Sequence, residues 1–412
     1  MKTAVLIAVG DELLSGVRRE GNCAHLAWVL HDAGWTVERM EVVPDDPLRV
    51  VDALDRWVGK VGILVLSGGL GPTHDDRTRD ALADYLACGL RRDDALYDKV
   101  TARYRGTPRE ELIERSRSRQ SLVPETARGV YNPAGSALGI YFERSGTRVW
   151  SFPGVPFEFK AMADQEVKPI LSSLEPARAW GSVSVAGVPE SAAVRRVPEL
   201  IDDARLHISV LPSFGLVEFI VRGERALVDS AVRTLRERFA DAALPEGCST
   251  LPEAVLKTGL ENGLTFSCAE SCTGGLIGAA MTDIPGSSDV FLGGAVVYSN
   301  EAKTKILGVE RSLLEKHGAV SGECAEAMAR GALDVFGTSL AVSVTGIAGP
   351  GGGSPEKPVG TVWFAVARRG TEETECRSFT QRLEGGRELV RERAVRVALT
   401  AVWRGMREAS PR

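Results

Sequence analysis

The sequence has no long apolar run. Nowhere do apolar residues continue over the length of about 18 that a membrane-spanning helix needs. The opening stretch, MKTAVLIAVGDELLSG, also lacks the small-residue cleavage site of a secretory signal peptide, and two acidic residues follow its short apolar part. We therefore expect a cytoplasmic protein that has no membrane partner.

Cysteine and histidine are few and scattered. The seven cysteines form no C-x-x-C pair, and the five histidines form no H-x-x-x-H pair. An odd number of dispersed cysteines is typical of a reduced intracellular chain rather than of a disulfide scaffold or a structural zinc site. The pattern therefore argues against the small disulfide-rich and zinc-finger classes of protein.

The chain also has no excess of positive charge. It carries 50 Lys and Arg against 55 Asp and Glu, which gives a net charge of -5. Proteins that bind nucleic acid directly neutralise phosphates with basic stripes or patches. We therefore do not expect direct contact with nucleic acid. The apolar and charged fractions, 44% and 25%, are ordinary for a globular protein.

Length and texture predict three domains. In residues 1–168, continuous apolar strand patterns alternate with amphipathic helix patterns, which indicates a parallel α/β sheet. Residues 169–248 contain fewer glycines and predict a small α+β module. After a linker, LPEGCSTLPEA, residues 252–412 alternate strand and helix patterns again. The chain is therefore expected to hold two α/β domains joined by a smaller one.

The stretch AESCTGG, residues 269–275, places polar groups between a strand pattern and a helix predicted to start at Thr273. Side chains at the end of a parallel strand point into the crevice where α/β sheets bind ligands. Amide groups at a helix start stabilise negative charge. Ser271 is therefore a candidate nucleophile, and the amides of Thr273 and Gly274 are candidate donors to an oxyanion.

Several alternatives remain open for this stretch. Ser271 could instead be a simple helix cap, and Cys272 is a rival nucleophile or a small buried residue. His317 is the only histidine of the C-terminal segment and could serve as base. Lys303, which follows Tyr298 at another strand end, could do so if burial lowers its pKa. The ordinary role of such a lysine is a solvated helix face.

A glycine-rich loop, VTGIAGPGGGSPEKPVG, follows a further strand pattern in the C-terminal segment. Its glycines, which include Gly346, Gly349 and Gly351, would let a phosphate approach the backbone. The spacing is not that of a P-loop, since G-x-x-x-x-G-K-[ST] is absent. A simple turn is the alternative.

The N-terminal segment repeats this arrangement. LVLSGGLGPTHDDRTRDALA places Gly68 and Gly69 after a strand, and Asp75 and Asp76 are predicted to open the next helix. The helix dipole favours carboxylates there. Adjacent carboxylates near a glycine loop also suit a divalent cation that holds phosphate oxygens. Asp11 stands at another strand end and is a further candidate ligand.

Several stretches of the chain resemble one known family. Those in the N-terminal segment are similar to the molybdopterin-binding-like domain of the CinA proteins (competence/damage-inducible protein A): GDELLSG, SGGLGPTHDDRTRDALA, NPAGSALG and FPGVPFEFKAM. Those in the C-terminal segment resemble the CinA C-terminal domain: AESCTGGLIGAAMTDIPGSS, GGAVVYSNEAKTKILGV, GAVSGECAEAMA and VTGIAGPGGGSPEKPVGTVWFA. The resemblance implies an N-terminal molybdopterin-binding-like parallel α/β domain, a small α+β middle domain and a C-terminal α/β CinA domain.

The resemblance also implies two activities that serve pyridine-nucleotide recycling. The C-terminal domain is expected to be a nicotinamide mononucleotide deamidase that needs no cofactor. The N-terminal domain is expected to hydrolyse the pyrophosphate of ADP-ribose with a divalent metal. A homodimer is expected as well.

The resemblance assigns roles to Ser271, Lys303, Tyr298 and Arg387, and the patterns described above supply the other candidates. Ser271 is implied as the nucleophile, with Lys303 and Tyr298 as its activating partners. The residues expected to bind the substrate of the C-terminal domain are Thr273, Gly274, Gly346, Gly349, Gly351 and Arg387. In the N-terminal domain, the residues expected to bind substrate are Gly68, Gly69 and Asn22. Those expected to bind metal are Asp76, Asp75 and Asp11.

Two other classes of function remain as alternatives. The N-terminal segment could bind a nucleotide or a pterin without turnover. The whole chain could be a regulatory protein connected with DNA uptake, although its acidic balance argues against direct DNA contact.

Overall fold

The computed structural model describes residues 2–172, 179–370 and 373–409. The protein is of the mixed α/β class, as predicted. It divides into two compact units, Met1–Ala179 and Trp180–Arg412. Most of the segment predicted as a separate middle domain lies in the second unit, together with the C-terminal segment. None of the helices in the described ranges combines the length and the apolarity needed to cross a bilayer.

A six-stranded sheet forms the centre of the first unit. Its strands, in spatial order, are β2 (Thr36–Val43), β1 (Thr3–Val9), β3 (Ile63–Ser67), β8 (Thr147–Phe152), β7 (Gly139–Arg144) and β6 (Arg128–Val130). The first four are parallel, as predicted, whereas β7 and β6 join in antiparallel pairing. Alternate residues of β1 enter two separate apolar cores. Both faces of the sheet are therefore covered, which explains the continuous apolar strands.

Helices surround this sheet and connect its strands. They are α1 (Asp11–Leu14), α2 (Asn22–Asp32), α3 (Pro47–Trp57), α4 (Thr78–Leu86), α5 (Asp94–Thr101), α6 (Glu110–Gln120), α7 (Pro156–Glu166) and α8 (Lys168–Ser172). A separate pair of short strands, β4 (Leu90–Arg92) and β5 (Leu122–Pro124), lies between them in the chain. Asp46 caps α3 by accepting the amide of Leu48 at 3.0 Å, and Pro47 occupies the first turn, where a missing N–H breaks no helical bond.

The second unit begins with a three-stranded sheet. Its strands, in spatial order, are β10 (His207–Ser213), β11 (Leu216–Gly223) and β9 (Ala179–Ala186), and its helices are α9 (Glu190–Arg195), α10 (Pro198–Ile201) and α11 (Arg225–Arg238). Helices α9 and α10 are separated just before Pro198, because proline has no N–H to donate to the preceding turn.

A five-stranded sheet follows. Its strands, in spatial order, are β13 (Phe291–Val296), β12 (Phe266–Glu270), β14 (Leu340–Gly346), β15 (Thr361–Arg369) and β16 (Thr374–Arg382). The first three are parallel, and the last two add antiparallel pairing. The sequence pattern does not predict β16, because this edge strand is mostly polar and exposed. The accompanying helices are α12 (Leu251–Asn262), α13 (Leu276–Thr282), α14 (Asn300–Leu307), α15 (Arg311–His317), α16 (Gly322–Phe336) and α17 (Arg387–Glu408).

Two apolar cores hold this sheet between its helices. Helices α12, α13 and α17 pack on one face, and α16 with α14 packs on the other. Gly331 allows the close approach of α14 to α16, since an added Cβ would lie 2.1 Å from the carbonyl oxygen of Leu307. The close packing on Gly331 helps to fix the position of α14 and of the lysine that it carries.

Candidate active site

The carboxyl ends of β13, β12 and β14 meet at one edge of the sheet, because these strands are parallel. Ser271 follows β12 directly, and its amide donates to the carbonyl of Val344 at 2.9 Å. The amide of Val297 donates to the carbonyl of Glu270 at 2.8 Å. These bonds continue the strand pairing past the end of β12 and fix the backbone that carries Ser271.

Lys303 lies in the first half of α14 and is 1% exposed. Ser299 caps this helix, so the chain turns back at the strand end and directs Lys303 toward the sheet. The Lys303 Nζ atom lies 3.2 Å from Ser271 Oγ, 2.8 Å from the carbonyl oxygen of Val297 and 3.2 Å from that of Tyr298. The structure therefore brings together the alcohol and the amine that the sequence singles out.

The surroundings of Lys303 favour its neutral form. Burial lowers the pKa of Lys303 below its ordinary value, and only the thiols of Cys324 and Cys272 oppose this effect. A neutral amine has two N–H donors and one lone pair. The carbonyls of Val297 and Tyr298 can accept both donors, which leaves the lone pair to accept the hydroxyl proton of Ser271.

The alternative nucleophile, Cys272, and the alternative base, His317, are less suited to these roles. Burial raises the pKa of Cys272 to about 11, and the thiolate is the nucleophilic form of cysteine. His317 Nδ1 lies 3.1 Å from Glu323 Oε1, and no contact in the described ranges joins His317 to Ser271. Lys303 is buried, so the interpretation of a solvated lysine is wrong. The Ser271 alcohol is thus the group that touches a candidate base.

The helix after Ser271 begins later than predicted and has a different cap. Helix α13 starts at Leu276 rather than at Thr273, because the intervening glycines adopt left-handed backbone angles. The carboxylate of buried Glu270 accepts three amide groups at this start, those of Gly275, Ile277 and Gly278 at 2.9, 3.1 and 3.0 Å. Glu270, not the serine, therefore caps the helix, and its negative charge meets the positive end of the dipole.

Some amides of this turn make no hydrogen bond within the protein. In the described part of the chain, the N–H groups of Thr273 and Gly274 donate to no acceptor. Thr273 is fully buried, and its hydroxyl is likewise without a partner among the described residues. Arg391 on α17 donates instead to the carbonyl oxygens of this turn, from Nε to Cys272 at 3.1 Å and from Nη2 to Thr273 at 2.9 Å.

The more exposed side of the site holds Tyr298 and Arg387. The Tyr298 ring is 63% exposed, and its hydroxyl accepts from Arg387 Nη2 at 3.4 Å rather than contacting Ser271. Arg387 Nη1 also donates to the carbonyl of Gly349 at 2.9 Å. Arg387 thereby links Tyr298 to the glycine-rich loop, in which Gly346 ends β14 and Gly351 is exposed.

A separate pocket of about 370 Å³ lies in the first unit, lined by several of the N-terminal candidates. Asn22 begins α2, and its Nδ2 donates to Ser67 Oγ and to the carbonyl of Gly154, each at 2.9 Å. Gly68 and Gly69 have positive φ angles of 115° and 66°. An added Cβ on Gly68 would lie 2.2 Å from the carbonyl oxygen of Val9, so packing alone already requires this glycine.

The three carboxylates predicted to bind metal do not form a ligand set in this pocket. They precede α4, which starts at Thr78, or lie on α1. The Asp76 carboxylate is occupied by the amides of Gly71 and Thr73, each at 2.8 Å, and by the Thr73 hydroxyl. Asp75 and Asp11 are exposed. No group of three or more His, Cys, Asp or Glu side chains in the described ranges is arranged to hold a metal ion.

Comparison with known proteins places the chain among its relatives. Residues 248–406 match the family described as the CinA C-terminal domain, and residues 5–173 match the probable molybdopterin binding domain. A putative competence-damage inducible protein of Moorella thermoacetica is 38% identical over 418 residues, covering 98% of this chain and 99% of that protein. The chain belongs to the CinA family.

A second relative agrees with this assignment, and a solved structure is similar to part of the chain. A CinA-like protein of Chlorobium luteolum is 40% identical over 387 residues, covering 89% of this chain and 88% of that protein. The solved competence/damage inducible protein CihA from Agrobacterium tumefaciens is 44% identical, with a TM-score of 0.36, and covers 39% of this chain and 95% of that chain. The predicted family is confirmed, as are the CinA type of the C-terminal segment and the molybdopterin-binding type of the N-terminal one.

The sequence patterns do not predict the roles of two residues at the site of this CinA chain. Glu270 stands in the quoted motif, but its bonds to amides up to eight positions away depend on the shape of the turn. Arg391 is separated from the turn by more than a hundred residues. Its spacing of four from Arg387 is the one available signal, because residues i and i+4 share a helix face.

We predict that Glu270→Gln destabilises the fold. The glutamine amide offers one acceptor oxygen and turns an NH₂ group toward backbone donors, so the free energy of unfolding should fall by about 1–3 kcal/mol. Urea titration measures the change. Glu301→Gln is the matched control, because Glu301 lies in the first turn of α14 but is exposed, so its loss should cost less than about 1 kcal/mol. Equal midpoints for both variants and the wild type would contradict the capping role.

Proposed function

We propose that the C-terminal domain is a nicotinamide mononucleotide deamidase, which hydrolyses the carboxamide to nicotinate mononucleotide and ammonia. The observation that carries this proposal is the 3.2 Å contact between Ser271 Oγ and the buried amine of Lys303. An alcohol beside a neutral amine is a nucleophile with its own base, as acyl transfer requires. The resemblance to the CinA C-terminal domain supplies the substrate.

The first half of the reaction forms an acyl-enzyme. Lys303 accepts the hydroxyl proton as Ser271 Oγ bonds to the carboxamide carbon, and the C=O electrons move to oxygen. The free amides of Thr273 and Gly274 would donate to this oxyanion. The oxyanion then collapses, the C–N bond breaks, and the Lys303 ammonium returns its proton to the leaving nitrogen, which departs as ammonia.

The second half releases the acid. Water adds to the ester carbon and gives a proton to Lys303. The C–Oγ bond then breaks, and Ser271 regains its proton from Lys303. No cofactor is required for either half in this proposal. The glycine-rich loop from Gly346 to Gly353 and the exposed Arg387 would hold the 5′-phosphate, with Tyr298 beside them.

We predict that Ser271→Ala and Lys303→Met strongly lower the rate of ammonia release from nicotinamide mononucleotide. Loss of the base alone should cost about 10²–10⁴-fold in kcat, and loss of the nucleophile at least as much. Cys272→Ala is the matched control at the neighbouring position and should retain activity. Near-normal turnover by both of the first two variants, or an inactive Cys272→Ala alone, would refute the dyad.

The rate should also depend on pH through Lys303. Only the unprotonated amine can accept the Ser271 proton, so kcat/KM should rise with pH as Lys303 loses its proton. Because burial lowers the pKa of Lys303, the midpoint should lie below the ordinary lysine value of 10.5. A pH–rate series on nicotinamide mononucleotide measures it. A rate that falls toward alkaline pH in this range would contradict the role of Lys303 as base.

For the N-terminal domain, the resemblance proposes metal-dependent hydrolysis of ADP-ribose, and the alternative is nucleotide or pterin binding without turnover. The side chains present favour the second, because Asp76 is already bound by its own loop. We therefore expect the purified chain to bind ADP-ribose without cleaving it. Mass spectrometry with and without added Mg²⁺ or Mn²⁺ tests this. Metal-dependent AMP formation, absent in Asp11→Asn, would instead establish the pyrophosphatase.

A further inference from the structure

The turn after Ser271 is held from two directions. On one side, the Glu270 carboxylate accepts the amides of Gly275, Ile277 and Gly278. On the other, the half-buried guanidinium of Arg391 donates to the carbonyl oxygens of Cys272 and Thr273, at 3.1 and 2.9 Å. The amides of Thr273 and Gly274, which lie between these two sets of bonds, are left without an acceptor in the described residues.

These free amides belong to the same peptide groups that Arg391 holds. The Cys272 carbonyl and the Thr273 N–H form one peptide plane, and the Thr273 carbonyl and the Gly274 N–H form the next. In a trans peptide, the N–H and the C=O point in opposite directions. Fixing both oxygens at one guanidinium therefore fixes the direction of both N–H groups, away from Arg391.

The charge of Arg391 adds a second effect. A charged donor on a carbonyl oxygen draws electron density through the peptide group and strengthens its N–H as a donor. Arg391 suits this role because a guanidinium presents a rigid fork that reaches two carbonyls at once. Gly274 fits closely under it, with a φ of 62° and an added Cβ that would lie 3.4 Å from Arg391 Nη2.

Arg391 and Arg387 lie on the same face of α17 but have different contacts. They lie one turn apart on α17, and the exposed Arg387 contacts Tyr298 and Gly349. Arg391 instead donates from Nε and Nη2 to the carbonyl oxygens of the turn after Ser271. The geometry thus distinguishes a residue available to a ligand from one bound to the protein itself.

We propose that Arg391 is the positioning residue of the oxyanion hole: it orients and polarises the two peptide groups whose N–H groups receive the negative charge. Arg391 does not touch the substrate in this account. The inference rests on the proposed amide hydrolysis and adds the residue that prepares its transition-state contacts.

The test compares kcat and KM for nicotinamide mononucleotide among the wild type, Arg391→Met and Arg391→Lys. The donors are needed only when the oxyanion forms, so kcat of Arg391→Met should fall about 10- to 100-fold while KM changes less than about threefold. The kcat of Arg391→Lys should lie between those of the wild type and Arg391→Met, because one ammonium replaces a guanidinium that reaches two carbonyls. The pH midpoint assigned to Lys303 should not move.

Arg407 provides a matched control on the same helix. Its guanidinium also holds two successive carbonyls, with Nη1 donating to Asp241 at 2.9 Å and Nη2 to Ala240 at 3.0 Å. Arg407→Met removes the same kind of contact at the other end of α17, so kcat should match the wild type. Thermal unfolding of each variant shows whether it is folded at the assay temperature.

A wild-type kcat in Arg391→Met, an equal loss in Arg407→Met, or a raised KM with unchanged kcat would each overturn the proposal. If Arg391→Met does not fold, a wild-type kcat in Arg391→Lys would overturn it. Absence of ammonia release by the wild-type protein would refute the deamidase and this inference together. An active wild type with an unimpaired Arg391→Met refutes the inference alone.

Discussion

The contact between Lys303 and Ser271 joins two parts of the C-terminal domain that approach from different strand ends. It requires a lysine side chain to be buried without a carboxylate partner among the described residues, which is costly for a charged amine. The cost falls if the amine is neutral, and two backbone carbonyls then accept its hydrogens. The same burial that disfavours the ammonium would leave a lone pair facing the alcohol, so the packing of α14 against α16 supports the proposed role of Lys303 as base.

The turn between Ser271 and α13 shows a second constraint. A buried carboxylate, Glu270, takes the amides of the helix start, and a guanidinium, Arg391, takes the carbonyls before it. The Glu270 carboxylate therefore already occupies the positive end of the helix dipole. The simplest interpretation of the motif, in which this helix start binds a substrate anion, does not hold. The amides of Thr273 and Gly274 have no acceptor among the described residues, and Arg391 holds the carbonyl oxygens of their peptide groups.

The sequence predicts the strand-end location of Ser271 and Lys303 because parallel strands bring their carboxyl ends together. It does not predict where α13 begins, since left-handed glycines at 274 and 275 interrupt the apolar pattern without changing its period. Strand β16 is not predicted, because a polar edge strand lacks the apolar pattern of a buried strand. The contacts of Arg391 are not predicted, because residues more than a hundred positions apart leave no local pattern in the sequence. In the first unit, glycines and carboxylates suggest a metal site, whereas the loop uses Asp76 for its own amides.

The charge state of Lys303 is the property that most directly tests this account. NMR titration of the lysine side-chain signals, with the Lys303 resonance identified by its absence in Lys303→Met, measures its pKa in the folded protein without relying on turnover. We expect a midpoint below the ordinary 10.5, so that at any given pH a larger fraction of Lys303 is neutral than of an ordinary lysine. A Lys303 signal that stays fully charged up to that ordinary value would contradict it.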